Sequence, residues 1–501
     1  TAYEIPKRDW SSDVCSSDLV NGVHLGRREG GYLPHEFDVT DALETGMDGL
    51  RHATVIVRVE DPMDNSEQPV GKQWKWYTTT SGIWQTVWLE PRASVFIDKF
   101  RISPDIDTHT AQFRIFCSQP EKPCMVELEI TAPDGTTQLV TAPFKHSCAE
   151  KTVSISPLFL WNPNEPYLYW ATMRLKDGDQ VVDSVRTYFG MRRISHAATD
   201  DANAPEVLCL NGVARYLRGA LHQAYYPEGV YTAGDIERFK DDILYAKKVG
   251  FNFLRVHIKI EDPLFLYLAD TLGMLVMADF PNFGEGGDTE LGRKRYEEMM
   301  RAAIDRDFNH PCIFAWCLFN ETWGFGGQVE FVELFAPTPG KDKKVSKAVS
   351  AVQSNEPPQE PAQPARDAAE AATAKVKLSN QSSHAWVQKM WELAKTLDQT
   401  RLIEDMSVVH WEHLDYYAHG DTDINSWHFY IHDYAKAKEH IAKVTSSTYA
   451  GSSFNFVEGF KQRTQPLINS EYGGVGALDG DRKSTRLNSS HVSESRMPSS
   501  A

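Results

Sequence analysis

The stretch that decides the fold is His310-Pro-Cys-Ile-Phe-Ala-Trp-Cys-Leu-Phe-Asn-Glu321, an apolar run that ends in an Asn-Glu pair. A continuous apolar run of this length, opened by a proline and followed by Gly324, is typical of a parallel strand buried on both faces. Barrel enzymes keep their chemistry at the carboxyl ends of such strands. The run therefore predicts a buried strand that delivers the Glu321 carboxylate to a pocket.

A second glutamate, Glu471, arrives in the same way. It closes the short apolar segment Pro466-Leu-Ile-Asn-Ser-Glu471, which then breaks into Gly473 and Gly474. Glycoside hydrolysis needs two carboxyl groups, because one protonates the leaving oxygen and the other attacks or stabilises the anomeric carbon. Two glutamates at the ends of separate parallel strands predict such a pair.

Further segments, in order along the chain, give it a resemblance to glycoside hydrolase family 2, which includes β-galactosidases, β-glucuronidases and β-mannosidases. The segments that end in Glu321 and Ser470-Glu471-Tyr472-Gly473 are similar to its acid/base and nucleophile motifs. Earlier segments are similar to its amino-terminal sugar-binding domain: Asn21-Gly22, Gly30-Gly-Tyr32, Phe37-Asp-Val-Thr40 and Ser81-Gly-Ile-Trp-Gln-Thr-Val-Trp-Leu-Glu90.

The resemblance implies a retaining exo-β-glycosidase, with Glu471 as nucleophile and Glu321 as acid/base. In such an enzyme the carboxyl groups lie about 5–5.5 Å apart. Glu321 must hold a proton near neutral pH, which requires a raised pKa. A β-galactosidase-like specificity is favoured, and β-glucuronidase or β-mannosidase specificity remains an alternative. A non-catalytic carbohydrate-binding fragment and a structural protein built on β-sandwiches also stay open.

Other polar and aromatic residues near predicted strand ends are candidates for the same pocket. Asn320 is expected to hold the sugar 2-hydroxyl, by the resemblance, and Arg255 to pair with a pocket carboxylate and keep Glu471 ionised. Tyr430 is expected to orient Glu471 or to contact substrate. The remaining substrate-binding candidates, each with a structural alternative, are His222, His257, Asp279, Trp427 and His428. For Trp427 the expected role is a stacking face for a sugar ring.

Pattern and resemblance together predict a multidomain β and α/β protein. Period-two segments predict a jelly-roll-like sugar-binding β-sandwich over residues 1–92 and an immunoglobulin-like β-sandwich over 93–192. Apolar strands then alternate with helices, which predicts a (β/α)8-type TIM barrel over 193–482. A chain of 501 residues agrees with roughly three domains.

Three segments do not fit this plan. Residues 337–376 are rich in Pro, Ala, Lys and Glu and predict a disordered insertion. Residues 11–19 interrupt an expected early strand, and residues 483–501 replace the expected last strand and helix. Both segments resemble translated adapter sequence, so the barrel is expected to have seven strands and two exposed edges.

Composition limits the partners. A net charge of −17 disfavours nucleic acid and anionic membrane, both of which attract a basic surface. Residues 1–20 lack a signal-peptide pattern, which slightly favours the cytoplasm. A carbohydrate is the expected partner, and a homo-oligomer is possible by resemblance.

No cofactor is expected to be required. Seven irregularly spaced cysteines predict buried free thiols rather than disulfides or a zinc site. The Gly-rich segment 284–287 lacks the lysine pattern of a phosphate loop. Mg²⁺ or Na⁺ near the site is possible by the resemblance only.

Overall fold

The computed structural model describes residues 2–8, 15–61, 67–72, 77–119, 121, 124–283, 289–322, 383–409, 418–431 and 433–473. The predicted insertion at 337–376, the tail from 483 and the Gly-rich segment 284–287 lie outside these residues. In coarse form the predicted fold class is confirmed: the chain has several units, mostly β with some α. The six cysteines from Cys117 onward are free thiols.

The amino-terminal unit consists of short antiparallel strands. They are β1 Ala2–Arg8, β2 Cys15–Val20, β3 Val23–Glu29, β4 Pro34–Asp38, β5 Glu44–Thr45, β6 Arg51–His52, β7 Val55–Glu60 and β8 Glu90–Arg92. Two three-stranded sheets form, in the orders β4-β1-β8 and β3-β2-β7. Their buried cluster is small, with Val20, Phe37, Val39 and Ala42 at its centre.

The expectation that residues 11–19 interrupt a strand is wrong for residues 15–19. Cys15–Val20 is the middle strand of its sheet and pairs with both β3 and β7. Strand pairing uses backbone N–H and C=O groups, so a polar stretch can occupy a middle position where the register is set by its neighbours. Residues 11–14 lie outside the described part of the chain.

The second unit is antiparallel and has a core of its own. Its strands are β9 Ile97–Asp105, β10 Thr110–Cys117, β11 Met125–Thr131, β12 Thr137–Lys145, β13 Cys148–Ser154, β14 Tyr169–Asp177 and β15 Gln180–Phe189. Their order is β15-β14-β11-β12-β13-β10-β9. Alternate residues are buried along β11 and β14, as expected for a sheet with one face on a core.

The third unit opens with an antiparallel sheet and continues with parallel strands. The antiparallel strands are β16 Ile194–Ala197, β17 Val207–Leu210 and β18 Val213–Ala214. The parallel strands are β19 Gly219–His222, β20 Phe253–Val256, β21 Leu275–Asp279, β22 Ile313–Cys317, β23 Leu402–Glu404, β24 Asn425–Phe429 and β25 Leu467–Tyr472. Every residue of β20, β22, β23 and β24 is buried, as expected for strands covered on both faces.

Helices follow several of the parallel strands, and four of them begin at capping side chains. They are α1 Ile236–Lys248, α2 Pro263–Leu272, α3 Glu290–Asp307, α4 at residues 383–397 and α5 Tyr434–Ser447. Asp235, Asp262, Thr289 and Asp433 each accept a hydrogen bond from a backbone N–H of the first turn, which satisfies a donor that the helix leaves unpaired. The described helices include none with the length and apolarity to cross a membrane.

The parallel strands form two sheets, ordered β19-β20-β21-β22-β23 and β24-β25. Among the residues described, no strand pairs with the outer edge of β19 or of β25. A cavity of about 1020 Å³ lies between these edges and is lined by apolar side chains that include Leu217, Phe253, Phe429 and Leu467. One strand and one helix would cover such a gap in a closed barrel.

Candidate active site

Glu321 and Glu471 lie side by side, with one oxygen of each carboxyl group within 4.8 Å of the other. Glu471 lies in β25, and Glu321 follows β22 by four residues. The Tyr430 hydroxyl oxygen lies 2.9 Å from Oε1 of Glu321 and 2.6 Å from Oε1 of Glu471. The side chain of Glu471 is buried, whereas that of Glu321 is 19% exposed.

The backbone at Glu321 is held in an uncommon conformation, with φ at +52°. A side chain at positive φ is disfavoured, so surrounding bonds must hold it there. The N–H of Glu321 donates to the carbonyl of Ser407 at 3.1 Å. Its neighbour Asn320 is fixed by Asn282, whose side chain bonds both the N–H and the carbonyl of Asn320, at 3.1 and 2.6 Å.

Burial raises the pKa of the Glu321 carboxyl group above its usual value, although the Tyr430 hydrogen bond and the positive charges of Lys72 and Arg255 oppose that effect. Burial, followed by the charges of Glu321 and Glu471, also raises the pKa of Tyr430 well above 10. The phenol therefore stays a hydrogen-bond donor. The direction at Glu321 is the one that a general acid needs.

Arg255 organises the floor of the site and is fully buried. Its guanidinium bonds both oxygens of Asp279, at 3.0 and 2.9 Å, while Nη1 lies 3.8 Å from Oε2 of Glu471. Asp279 also contacts Nδ1 of His257 at 2.6 Å. Arg255 thus forms its direct ion pair with Asp279. Glu471 lies farther away, at a distance where the positive charge of Arg255 still attracts its carboxylate.

Asn320 has its amide oriented by the protein. Its Oδ1 accepts hydrogen bonds from Arg255 at 3.1 Å and from the Ser407 hydroxyl at 3.0 Å. The Nδ2 group therefore carries the two donors that face away from these partners. An amide fixed in this way suits a hydroxyl oxygen of a bound sugar as acceptor.

The structure brings most of the predicted site residues into one hydrogen-bonded network. That network contains Glu321, Glu471, Asn320, Tyr430, His428, Arg255, Asp279 and His257. His257 reaches it through Asp279 and places Nε2 3.9 Å from Oε2 of Glu471. Their roles toward a substrate stay predictions.

Two expectations need correction at β24. Trp427 packs with Phe429 and Val444, on the side of the strand that faces α5, so it offers no stacking face to a sugar at the two glutamates. The reason is strand alternation, because His428 points inward and its neighbours must point outward. His428 itself is fully buried with both ring nitrogens bonded to protein groups, and this excludes the predicted substrate contact.

His222 lies at the end of β19, as predicted, but its described contacts lead elsewhere. Its ring stacks on Phe265 at 4.4 Å, and Nε2 lies 3.5 Å from Glu261 and 3.4 Å from the Tyr226 hydroxyl. None of these groups belongs to the network around the two glutamates. The structure therefore gives His222 packing and ion-pair contacts rather than a position beside the pair.

A loop of the amino-terminal unit also contributes to the site, and it was not predicted from the sequence. The N–H groups of Val70 and Gly71 both donate to the carbonyl of Asn282 at 2.9 Å, and Lys72 Nζ bonds Gln223 at 3.3 Å. This loop of the amino-terminal unit thus lies on the carboxyl ends of β19 and β21. Nothing local in the sequence marks the loop, because its partners are far along the chain.

Glu321, His428 and Glu471 also form a group whose ligand atoms lie within 4.8 Å of one another, close enough to hold a metal ion. The hydrogen bonds of His428 argue against metal binding by its ring. Nδ1 of His428 lies 2.9 Å from Glu321 Oε1, while Nε2 lies 2.9 Å from Nη1 of Arg255, which can only donate. Nδ1 must then carry the ring proton, so it has no lone pair for a metal.

Comparison with known proteins finds similarity to one family of glycoside hydrolases. The model for glycosyl hydrolases family 2 matches residues 95–192, which contain the antiparallel unit β9–β15. A β-galactosidase of Thermoanaerobacter pseudethanolicus is 26% identical over 305 residues, covering 59% of this chain and 39% of that protein. A putative β-glucuronidase of Formosa agariphila is 28% identical over 316 residues, covering 60% and 28% of the two chains. The second unit of this chain is thus similar to glycosyl hydrolases family 2.

A solved structure extends the likeness to nearly the whole chain. The structure of a Bacteroides uniformis β-glucuronidase covers 94% of this chain and 51% of its own, with a TM-score of 0.67 and 20% identity. At that identity the likeness concerns the fold. The matched part spans 39% and 28% of the length of the two relatives described above.

Proposed function

We propose that this chain is a family 2 enzyme that hydrolyses terminal β-linked sugars with retention of anomeric configuration. The observation that carries the proposal is the pair Glu321–Glu471, with carboxyl oxygens within 4.8 Å of each other. Retaining glycosidases hold their carboxyl groups about 5–5.5 Å apart, whereas inverting enzymes need about 6.5–9.5 Å to fit a water. The close pair leaves no room for that water.

In the first step an oxygen of Glu471 attacks the anomeric carbon. The bond to the leaving group breaks, its electron pair goes to the leaving oxygen, and that oxygen takes the proton of Glu321. The raised pKa of Glu321 supplies this proton near neutral pH. The product is a glycosyl ester on Glu471.

In the second step Glu321 acts as a base. It takes a proton from water, the water oxygen attacks the anomeric carbon, and the ester electron pair returns to Glu471. The carboxyl group of Glu321 ends with its proton restored. Asn320 supports both steps by donating to a sugar hydroxyl, a contact that strengthens in the transition state of glycosidases.

A chromogenic assay tests the proposal. We expect the chain to release 4-nitrophenol from a 4-nitrophenyl β-glycoside and Glu471→Gln to abolish that release. The matched control is Glu458→Gln, which removes a carboxylate outside the described network. Failure of the wild-type chain to hydrolyse any of the β-galactoside, β-glucuronide and β-mannoside would contradict the proposal.

We propose β-galactosidase-like specificity, with a relative of that name as support. The second candidate is a β-glucuronidase, supported by a relative so named and by Lys72, which is nearly buried and lies close enough for its charge to act on Glu321. A uronic carboxylate would be attracted to that ammonium. A preference for the glucuronide that falls in Lys72→Met would favour the second candidate, and a galactoside preference unchanged in Lys72→Met would favour the first.

We further propose that β19–β25 belong to a (β/α)8-type barrel whose last strand would occupy the cavity between β25 and β19, and that the preceding units are jelly-roll-like and immunoglobulin-like sandwiches. The proposed reaction needs no redox cofactor, because two carboxyl groups supply all its proton and electron-pair transfers. Binding of Mg²⁺ or Na⁺, assembly into an oligomer and the cellular compartment stay predictions.

A further inference from the structure

His428 occupies a buried position between the proposed acid/base and the arginine on the site floor. Nδ1 lies 2.9 Å from Oε1 of Glu321, and Nε2 lies 2.9 Å from both Nη1 of Arg255 and Oγ of Ser470. The side chain is fully buried. A ring enclosed in this way cannot exchange contacts with solvent, so its two nitrogens have fixed partners.

These partners determine the protonation of the ring. A guanidinium only donates hydrogen bonds, so Nε2 must accept from Arg255 and carry no proton. A second proton at Nε2 would place an imidazolium against the guanidinium. The ring is therefore neutral, and Nδ1–H donates to Oε1 of Glu321.

The contacts of Glu321 are one-sided. His428 and Tyr430 both contact Oε1, and within the described part of the chain no hydrogen bond to Oε2 is found. A carboxyl group held by one oxygen presents the other in a fixed direction. Oε2 is thus the oxygen that can meet a leaving group.

We propose that His428 is a positioning residue for Glu321: its neutral imidazole holds Oε1 and so directs Oε2 toward the leaving oxygen. This inference rests on the proposed glycosidase function. His428 touches no substrate, because the protein encloses it. Its effect reaches the reaction through the orientation and the ionisation of one carboxyl group.

Several groups besides His428 act on the ionisation of Glu321, and they come from separate elements. Tyr430 follows β24, Arg255 lies in β20, Lys72 lies in the amino-terminal loop and Glu471 lies in β25. Tyr430, Arg255 and Lys72 favour the ionised form, whereas like-charge repulsion from a neighbouring carboxylate disfavours it. A substitution at His428 alone leaves these other groups in place.

Two variants of nearly equal shape separate the hydrogen bond from the packing. His428→Asn places an amide N–H where Nδ1–H stands, whereas His428→Leu fills the space without a donor. Hydrogen bonds to charged groups contribute about 1.5–3 kcal/mol, so losing one costs about 10–100-fold in rate.

We expect His428→Leu to lose about 10–100-fold in kcat/KM on a phenyl glycoside, whose leaving group needs a proton. The leaving group of the 2,4-dinitrophenyl glycoside departs without protonation. On this substrate we expect kcat/KM to fall by less than about threefold, which corresponds to a small fraction of the energy of that hydrogen bond. His428→Asn should stay near the wild type on both. The basic limb of the pH profile should move to higher pH in His428→Leu, because a donor that stabilised the carboxylate is gone.

Wild-type rates for His428→Leu on both substrates, or equal losses on both with an unmoved pH profile, would overturn the inference. If the wild-type chain hydrolyses no glycoside, the proposed function fails, and the inference is judged by ¹⁵N NMR of histidine-labelled protein, which needs no turnover. The expected spectrum shows a protonated Nδ1 and an unprotonated Nε2, assigned by the signals lost in His428→Asn. A protonated Nε2 would overturn the inference.

Discussion

Tyr430 and Glu471 are joined by a hydrogen bond of 2.6 Å, and the same hydroxyl oxygen lies 2.9 Å from Glu321. A phenol has one proton, so it donates to one carboxyl group at a time. The phenol can therefore turn its proton toward either carboxyl group, and it stabilises the one that is ionised. In the first step of a retaining mechanism the ionised group is Glu471, to which the hydroxyl is also closer.

Tyr430→Phe should lower kcat by about 10–100-fold, because it removes a hydrogen bond of about 1.5–3 kcal/mol to a charged carboxylate. Steady-state kinetics on a 4-nitrophenyl glycoside measures the loss. The matched control is Tyr434→Phe, because Tyr434 is 84% exposed at the start of α5. Equal activity of the two variants would contradict the role given to Tyr430.

Glu321→Gln should stabilise the fold at neutral pH and lose the stabilisation in acid. Burial raises the native pKa of Glu321, so the native state binds more protons than the unfolded state between the two pKa values. The free energy of unfolding therefore falls as pH rises through that window, and a glutamine has no such loss. Thermal unfolding at pH 4 and pH 8 should give a Tm difference from wild type that is small at pH 4 and larger at pH 8.

The control for that experiment is Glu228→Gln, since Glu228 is exposed. Its Tm difference from wild type should be the same at both pH values. A Tm of Glu321→Gln below that of the wild type at pH 8 would mean that ionised Glu321 is stabilised by its surroundings, against the direction derived for its pKa.

Arg255→Met should cost about 3–5 kcal/mol of unfolding free energy, because it leaves Asp279 as a buried charge without its guanidinium. Arg301→Met is the matched control, since Arg301 pairs with Glu297 on the exposed face of α3 and such pairs contribute about 0–1 kcal/mol. Urea unfolding measures both. Similar small losses would show that Arg255 and Asp279 are not a structural pair.

Gly71→Ala should destabilise the chain more than Gly178→Ala. Both glycines have nearly the same φ, +60° and +61°, so both alanines bear the left-handed penalty of about 1–2 kcal/mol. An added Cβ at Gly71 would lie 2.3 Å from the carbonyl oxygen of Ile258, whereas at Gly178 nothing lies within 4 Å. Unfolding in urea compares them, and equal losses would show that the loop does not pack closely on the parallel strands.

The sequence predicts what depends on local pattern. Glu321 and Glu471 could be found because apolar strands end close to them and glycines follow. Trp427 was assigned to the wrong face, although strand alternation beside His428 contains the answer. A stricter use of the period-two rule would have placed Trp427 against α5.

Contacts that depend on how far a side chain extends could not be predicted from the sequence. The pairing of Arg255 with Asp279, rather than directly with Glu471, is decided by differences of less than 1 Å between nearby oxygens. The place of Lys72 depends on how one folding unit packs on another. Neither relationship leaves a periodic signal in the chain.

The most direct test of the central claim is mechanism-based labelling of the nucleophile. A 2-deoxy-2-fluoro-β-glycosyl fluoride of the preferred sugar slows the second step, so the glycosyl ester accumulates on the enzyme. Peptide mass spectrometry should place that sugar on Glu471, and Glu471→Gln should take up none. A labelled residue other than Glu471, or turnover of substrate that forms no covalent adduct, would contradict the account.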